Sequence, residues 1–171
     1  MKLSGYETPS IDAASARELR TLVEEFNTEY CAILDAREIE KWPEFFTEDA
    51  VYRVTARENA DANLPVGLVY CEGRPMMHDR AVAIARTQMF APRNTIHMCS
   101  NVRVMSQEAG KSFTAQTNFM LLQTLVEGPT TIHLAGRYYD RFVLENGKLR
   151  LAERQVVYDT TVIATDLVYP V

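Results

Sequence analysis

The chain has 171 residues, of which 47% are hydrophobic and 24% charged, and its formal net charge is −5. This length and composition predict a single soluble globular domain over 1–171. The acidic balance, without a run of basic residues, argues against nucleic acid as a partner. No apolar stretch approaches the roughly 20 residues of a membrane span.

The cysteines indicate a reducing compartment. Cys31, Cys71 and Cys99 are odd in number and widely spaced, and they form no Cys-x-x-Cys pair. The N-terminal segment lacks the apolar core of a signal peptide. We therefore expect reduced thiols and a cytoplasmic protein.

The N-terminal third reads as helical. Residues 1–12 form an arm, and Ser15 and Glu18 have the spacing of a capping box that would start a helix of about 20 residues. The apolar face of that helix repeats at helical intervals, at Leu19, Leu22, Val23, Phe26, Tyr30, Ile33 and Leu34. A second, short helix is predicted from Ile39 to Phe46. Polar residues 47–49 then separate it from a strand over 51–55.

The rest of the chain changes from helix to strand. Residues 56–67 are polar and without pattern, which predicts a mobile loop. A short strand over 68–71 precedes a third helix from Pro75 to Phe90, whose predicted buried stripe is Ala81, Val82, Ile84, Ala85 and Met89. From Thr95 the period is two, giving strands at about 95–106, 111–126, 130–145 and 148–166, with turns near 108–110, 128–129 and 146–147. Helices followed by antiparallel strands predict an α+β domain.

The last two strands form the clearest motif. Asn146-Gly147 suits a type I′ turn, in which both central residues need φ > 0. Pairing across that turn sets Leu144 opposite Leu149, Phe142 opposite Leu151 and Tyr139 opposite Arg154. The same register sets Asp140 opposite Glu153, which is unfavourable. Either Arg141 or Arg154 shields these carboxylates, or a bulge shifts the register.

Metal and cofactor motifs are scarce. An iron site of two histidines and a carboxylate needs convergent side chains, and nothing in the spacing of His78, His97 and His133 requires convergence. Local hydrogen bonding is the favoured interpretation. The sequence contains no Cys-x-His pair, so this chain builds no Rieske cluster, and it has no dinucleotide, Walker, nucleophile-elbow or zinc-protease pattern.

An acid–base pocket is the sharper enzymatic hypothesis. Tyr30 and Asp35 on the first helix, Tyr52 on the first strand and His97 on a later strand could line a pocket between helix and sheet. A buried Asp–His pair could transfer a proton. The alternative, that Asp35 caps or salt-bridges the helix end and His97 packs in the core, is favoured.

An ordered series of motifs resembles the small (beta) subunit of aromatic-ring-hydroxylating oxygenases. The motifs run from about residue 20 to the C-terminus: Leu34-Asp35-x-Arg37, Trp42, Phe45-Phe46, Glu48-Asp49-Ala50-Val51-Tyr52, His97-x-x-Ser100-Asn101-Val102, Gly136-Arg137-Tyr138, Asn146-Gly147 and Arg154-Gln155-Val156-Val157-Tyr158-Asp159. One departure occurs before the histidine strand, where the family often has Pro-Ser-Arg and this chain has Ala91-Pro92-Arg93-Asn94. Arg93 is expected to fill the arginine position.

The resemblance implies a cystatin-like α+β fold shared with nuclear transport factor 2, with helices packed on a curved sheet. It implies a non-catalytic, trimeric structural subunit, in an α3β3 assembly whose alpha subunits carry the Rieske [2Fe–2S] cluster and the mononuclear Fe(II), in aromatic compound catabolism. The alternative is a stand-alone dehydratase or isomerase of the same fold that uses Asp35 and His97.

Structural or interface roles are predicted for five side chains: Trp42, Arg93, Arg137, Arg154 and Tyr169. The apolar segment 167–171 is expected to be covered, because chain ends are usually polar and frayed. It either packs on its own core or lies in a subunit interface, and both interpretations stay open here.

Overall fold

The structure is a computed structural model that describes residues 3–87, 89–108 and 111–171. Its helices are α1 (Ala13–Asp35), a 3₁₀ helix (Ile39–Phe45), α2 (Arg57–Asp61) and α3 (Arg74–Arg86). Its strands are β1 (Phe46–Ala56), β2 (Val69–Glu72), β3 (Arg93–Glu108), β4 (Ser112–Leu125), β5 (Thr130–Glu145) and β6 (Lys148–Tyr158). The predicted α+β organisation is confirmed. The predicted turn at 108–110 lies partly outside the described residues.

Helix α1 begins earlier than the capping-box motif predicts. The Asp12 side chain accepts hydrogen bonds from the backbone N–H groups of Ala14 and Ser15, both at 3.0 Å, and is the N-cap. Ser15 therefore lies inside the helix, and the predicted start was wrong. The Asp12 carboxylate accepts hydrogen bonds from two backbone N–H groups of the first turn, which have no partner within the helix. A capping box that started at Ser15 would leave these two N–H groups without a partner. The predicted apolar face is confirmed, with Leu19, Val23, Phe26, Tyr30 and Leu34 buried.

Three other boundaries differ from the prediction. Strand β1 starts at Phe46 and includes the polar residues 47–49, and its pairing with β6 is irregular between Phe46 and Val51. Part of the predicted loop at 56–67 is helix α2, whose last residue, Asp61, accepts hydrogen bonds from Ser4. Helix α3 ends at Arg86, where the Thr87 hydroxyl donates to the Ala83 carbonyl.

The predicted buried stripe of α3 also differs from the observed one at its C-terminal end. On α3, Met77, Ala81 and Ile84 are buried, whereas Met89 lies beyond the helix and is fully exposed. Ala85, also predicted to be buried, faces solvent. Ala85 lies within the helix on its solvent side, and Met89 follows the end of the helix, so neither position meets the core.

The six strands form one sheet in the order β2-β1-β6-β5-β4-β3. Strand β1 pairs in parallel with β6, and the other neighbours are antiparallel. The first long strand therefore lies beside the last, and β3 forms an edge. Helix α1 packs on the inner face of the sheet, where one hydrophobic core contains residues from α1, α3 and the strands.

The β5–β6 hairpin resolves the predicted carboxylate conflict. Asn146 and Gly147 have φ values of 53° and 75°, as the predicted turn requires. Leu144 pairs with Leu149 and Phe142 with Leu151, as predicted. The register then shifts between Phe142 and Arg141, because Ala152 is an extra residue on β6.

Beyond this bulge, Asp140 lies opposite Arg154, and Tyr139 lies opposite Gln155. The predicted pairs Asp140–Glu153 and Tyr139–Arg154 are therefore wrong. Inserting one residue in one strand moves every later partner by one position, and here that shift replaces a repulsive pair with an ion pair. Strand β6 ends at Tyr158, short of the predicted 166, and Thr160 then accepts a hydrogen bond from the Ala135 N–H at 2.9 Å.

Candidate functional site

A groove of about 440 Å³ lies between α1 and the edge strand β3. Its helical wall comes from residues spaced three or four apart, which share one face of α1. Its other wall is β3 around a bulge, where Asn101 has a φ of 54° and the pairing with β4 shifts between Ser100 and Arg103. The side chains that matter chemically are Cys31, Asp35, His97 and Cys99.

Asp35 and His97 form a close pair at one end of the groove. The His97 Nδ1 lies 2.7 Å from Asp35 Oδ1, and the His97 backbone N–H donates to Asp35 Oδ2 at 3.0 Å. A carboxylate that already accepts a backbone N–H favours the tautomer in which Nδ1 carries the proton. The His97 side chain is 1% exposed, and its Nε2 has no hydrogen-bond partner among the described residues.

The two tyrosines of the predicted acid–base site lie elsewhere. Tyr52 accepts a hydrogen bond from the Val171 N–H at 2.9 Å, and the Tyr30 hydroxyl donates to the Val171 carbonyl at 3.1 Å. Burial raises the pKa of Tyr30 to about 12 and the pKa of Tyr52 well above its usual value. Both phenols therefore stay protonated and hold the C-terminal segment. The structure brings together Asp35 and His97 only, and not the predicted set of four.

The predicted structural or interface residues divide by burial. Trp42 is completely buried, and its Nε1 donates to the Tyr30 hydroxyl at 2.9 Å. Arg93 is 3% exposed and pairs with both carboxylate oxygens of Asp166, at 3.1 and 3.0 Å. Arg137 is half-buried and donates from Nε to Asn118 Oδ1 at 3.0 Å, and the half-buried Tyr169 packs edge-on against Phe90.

Arg154 is the charged centre of the core. It is fully buried, and its guanidinium donates to both oxygens of Asp140, at 2.9 and 2.8 Å. The cation lies 4.3 Å from the Tyr30 ring centroid and 4.1 Å from that of Tyr138. Burial raises the pKa of the Asp140 carboxyl, and the adjacent guanidinium opposes that shift.

Sequence reasoning missed one contact in the groove. The sulfur atoms of Cys31 on α1 and Cys99 on β3 are 3.6 Å apart. Their sequence separation hid this pair. The available signal was that Cys31 follows the buried Tyr30 on α1, while Cys99 shares one face of a strand with His97.

The histidines do not assemble a metal site within the described part of the chain. His78 is exposed on α3, His97 pairs with Asp35, and His133 is buried at a bulge in β5. In residues 3–87, 89–108 and 111–171, no group of three or more His, Cys, Asp or Glu side chains could hold a metal ion. No helix in those ranges is long and apolar enough to cross a bilayer.

Comparison with known proteins identifies the family. The family described as the ring-hydroxylating beta subunit matches residues 31–165. This range includes all six strands and most of the residues that line the groove. The chain belongs to the ring-hydroxylating beta subunit family. The predicted family is thereby confirmed, and so is the predicted membership of an oxygenase complex with an alpha subunit.

Individual relatives agree with this family. The chain is 36% identical to the anthranilate 1,2-dioxygenase small subunit of Burkholderia cepacia, over 83% of this chain and 88% of the relative. It is 34% identical to a beta subunit of the terminal oxygenase component of terephthalate 1,2-dioxygenase from a Comamonas species, over 85% of this chain and 94% of the relative.

The fold agrees as well. A crystal structure assigned as the beta subunit of an aromatic-ring-hydroxylating dioxygenase from Novosphingobium aromaticivorans superposes with a TM-score of 0.82, at 35% identity, over 91% of this chain and 98% of that chain. The cystatin-like fold predicted for this beta subunit, with N-terminal helices on a mostly antiparallel sheet, is therefore confirmed.

Proposed function

We propose that this chain is the non-catalytic structural subunit of an oxygenase that hydroxylates aromatic rings, in aromatic compound catabolism. The observation that carries the proposal is the family match over residues 31–165. The relatives are named for anthranilate and terephthalate, which are both benzene carboxylates. An aromatic carboxylate is therefore the substrate class that we infer for the assembled enzyme. Three free cysteines support a place in the reducing cytoplasm.

The partner in this proposal is the alpha subunit, which carries a Rieske [2Fe–2S] cluster and a mononuclear Fe(II). Those centres need cysteine and histidine clusters or a facial triad of two histidines and a carboxylate. The described residues of this chain offer no such group, and we propose that the partner provides both iron centres. We propose an α3β3 assembly in which three copies of this chain associate with each other and with three alpha subunits.

The accessible members of the predicted interface set are Arg137 and Tyr169. Trp42, Arg93 and Arg154 are inside the subunit, so their roles here are structural. Arg137 lies on the outer face of the sheet and is partly exposed. Tyr169, in the C-terminal segment, is also partly exposed. Arginine and tyrosine are enriched in the cores of protein interfaces, and we propose that these two side chains contact a neighbouring subunit.

Co-expression with an alpha subunit from an adjacent reading frame tests the proposal. Light scattering should give the mass of an α3β3 complex, and iron analysis should find iron in that complex. Arg137→Ala and Tyr169→Ala should each weaken co-purification, whereas the exposed Lys111→Ala should not. A monomeric chain that never co-elutes with the larger protein would contradict the proposed role.

The Asp35–His97 pair supports a second candidate, an acid–base activity in the groove. The specific observation is that His97 Nε2 has no partner among the described residues, although its ring is oriented by a carboxylate. In the neutral tautomer this nitrogen is a proton acceptor. The hydrogen bonds between Asp35 and both the ring and the backbone of His97 support the structural interpretation equally, because they join α1 to β3.

His97→Gln and Asp35→Asn in the assembled complex separate the two candidates. The structural role predicts lower thermal stability or poorer assembly, with turnover per intact complex unchanged. Loss of turnover in complexes of normal mass and melting temperature would instead favour the acid–base activity.

A further inference from the structure

Cys31 and Cys99 face each other across the α1–β3 groove. Their sulfur atoms are 3.6 Å apart, although the residues are separated by 68 positions in sequence. A disulfide has an S–S distance of about 2.05 Å. The sulfurs already touch, so a movement of roughly 1.5 Å, the difference between these two distances, would allow a bond to form.

The two thiols are chemically unequal. The hydrogen bond between the two sulfurs lowers the pKa of the Cys99 thiol, and the cation of Arg154 lowers it further, against the opposing effect of burial. The same hydrogen bond, followed by burial, raises the pKa of Cys31. Cys99 is also half-buried, whereas Cys31 is buried. Because the thiolate is the reactive form of cysteine, we assign the more accessible Cys99 as the nucleophile and Cys31 as the second thiol.

The groove gives small molecules access to the pair. Both cysteines line its wall, together with polar side chains that include Thr28, Ser100 and Asn101. Cys99 is half-buried, so a small oxidant in the groove can meet its sulfur. The third cysteine, Cys71, is 2% exposed and lies on β2 at the opposite edge of the sheet.

We propose that Cys31 and Cys99 are an oxidant-sensitive thiol pair that a peroxide converts into a disulfide joining α1 to β3. In the first step the Cys99 thiolate attacks one oxygen of hydrogen peroxide, the O–O bond breaks, and the departing hydroxide takes a proton to become water. Cys99 is then a sulfenic acid.

In the second step the Cys31 sulfur attacks the Cys99 sulfur. The S–O bond breaks, and the leaving hydroxyl takes the Cys31 proton as a second water molecule. Overall, two thiols lose two electrons and two protons, and one peroxide is reduced to two waters. A thiol reductant reverses the change by exchange.

The disulfide has a defined structural effect. It closes a long covalent loop between the central helix and an edge strand, which reduces the freedom of the unfolded chain. It also narrows the groove beside Asp35 and His97. The oxidised protein should therefore melt at a higher temperature than the reduced protein, and the difference should vanish on addition of dithiothreitol.

Titration of the reduced chain with hydrogen peroxide tests the proposal. Free thiols should fall from three to one, because one disulfide forms per chain. Non-reducing tryptic mapping should then find peptide 21–37 joined to peptide 94–103. The fully exposed Met89 is an internal measure of oxidant exposure.

Three serine variants complete the test. Cys71→Ser should still form the cross-link, whereas Cys31→Ser and Cys99→Ser should not. Cys31→Ser should accumulate a sulfenic acid on Cys99 that dimedone traps, while Cys99→Ser should leave Cys31 unmodified. Three intact thiols in the wild-type chain after Met89 is oxidised, or a cross-link that includes Cys71, would overturn the proposal. This inference does not rest on the proposed function, since every readout uses the isolated chain.

Discussion

At the scale of single residues, the least usual feature is a full ion pair inside the core. Arg154 and Asp140 have no exposed side-chain surface, and the guanidinium lies between the rings of Tyr30 and Tyr138. The free energy needed to remove both charges from water can exceed the attraction between them. The pair is maintained by two hydrogen bonds to Asp140 and a third to Asn27 Oδ1 at 2.8 Å.

Asp140→Leu should lower the free energy of unfolding by about 3–5 kcal/mol, since it leaves a buried guanidinium without its counter-charge. The double variant Asp140→Leu/Arg154→Met should regain most of that loss, because it removes both charges and keeps apolar volume. Urea unfolding of the single and double variants measures both effects. If the single and double variants lost the same free energy of unfolding, the destabilisation would come from altered packing and not from the unpaired charge.

His133 should make stability depend on pH. Burial, followed by the nearby charge of Arg93, lowers its pKa below the usual 6.5. The unfolded chain therefore binds a proton at a higher pH than the folded chain does. The stability that neutral His133 contributes is fully present above about pH 6.5 and is lost as the pH falls through that value toward the lower folded pKa.

The free energy of unfolding should consequently decrease between about pH 7 and pH 5.5, and His133→Gln should reduce that slope. Denaturant melts at several pH values measure it. The exposed His78→Gln is the matched control and should leave the slope as it is. An unchanged slope in His133→Gln would assign the pH dependence to other groups.

At the scale of elements, the close approach of β5 and β6 depends on one glycine. A Cβ at Gly136 would lie 2.1 Å from the Val157 carbonyl oxygen, a backbone atom that cannot move aside. The motif Gly136-Arg137-Tyr138 thus has a steric reason.

Gly136→Ala should destabilise the protein by roughly 1–3 kcal/mol, the usual range for overpacking. Gly128→Ala is the control, because its nearest neighbours lie at 3.4 Å or more and its φ is not positive. That variant should change stability by less than about 0.5 kcal/mol. Thermal melts of both variants test the difference, and equal effects would contradict the steric explanation.

The C-terminal segment is an element that sequence left open. Val171 is completely buried and exchanges hydrogen bonds with Tyr30 and Tyr52, so the segment packs on its own core. Removing residues 167–171 should therefore lower the melting temperature of the isolated chain, since two buried hydroxyls lose partners at about 1–3 kcal/mol each. The exposed Val162→Ala should have little effect. If the variant without residues 167–171 associated more weakly with other subunits but melted at an unchanged temperature, the segment would instead belong to a subunit interface.

At the scale of the whole molecule, the topology places the helices and the last strand around one hydrophobic core, with the α1–β3 groove at one edge of the sheet. Because β1 pairs with β6, the N-terminal helices and the last strand enclose the same interior. The buried Arg154–Asp140 pair lies within this interior, and its guanidinium donates to Asn27, which also lines the α1–β3 groove. Such an interior suits a rigid subunit that supports a larger partner.

The isolated chain should purify without stoichiometric iron, and the co-expressed complex should contain it. The reason is that the described histidines are dispersed among α3, β3 and β5. Elemental analysis by mass spectrometry measures the iron content of both preparations. Stoichiometric iron in the single chain that disappears in His97→Ala or His133→Ala would contradict this expectation.

The sequence alone determined the features set by neighbours in the chain. The turn at Asn146-Gly147 requires two positive φ values, and this pair tolerates them better than any other. The apolar face of α1 follows from helical periodicity, and an ordered set of motifs identified the family. In each case the deciding interactions lie within a few residues or repeat regularly.

Only the tertiary structure decided which distant residues meet. A single bulge at Ala152 makes Arg154 the partner of Asp140. The sequence left a bulge and a shielding arginine as alternatives, because counting residues from the turn does not show where an extra residue is inserted. Tyr30 and Tyr52 hold the C-terminal segment, while Asp35 meets His97 across the groove. Cys31 and Cys99 touch because α1 packs against the edge strand β3 in a position that brings these two residues together. These pairings depend on how an entire helix settles on a twisted sheet, so no local pattern in the sequence specifies them.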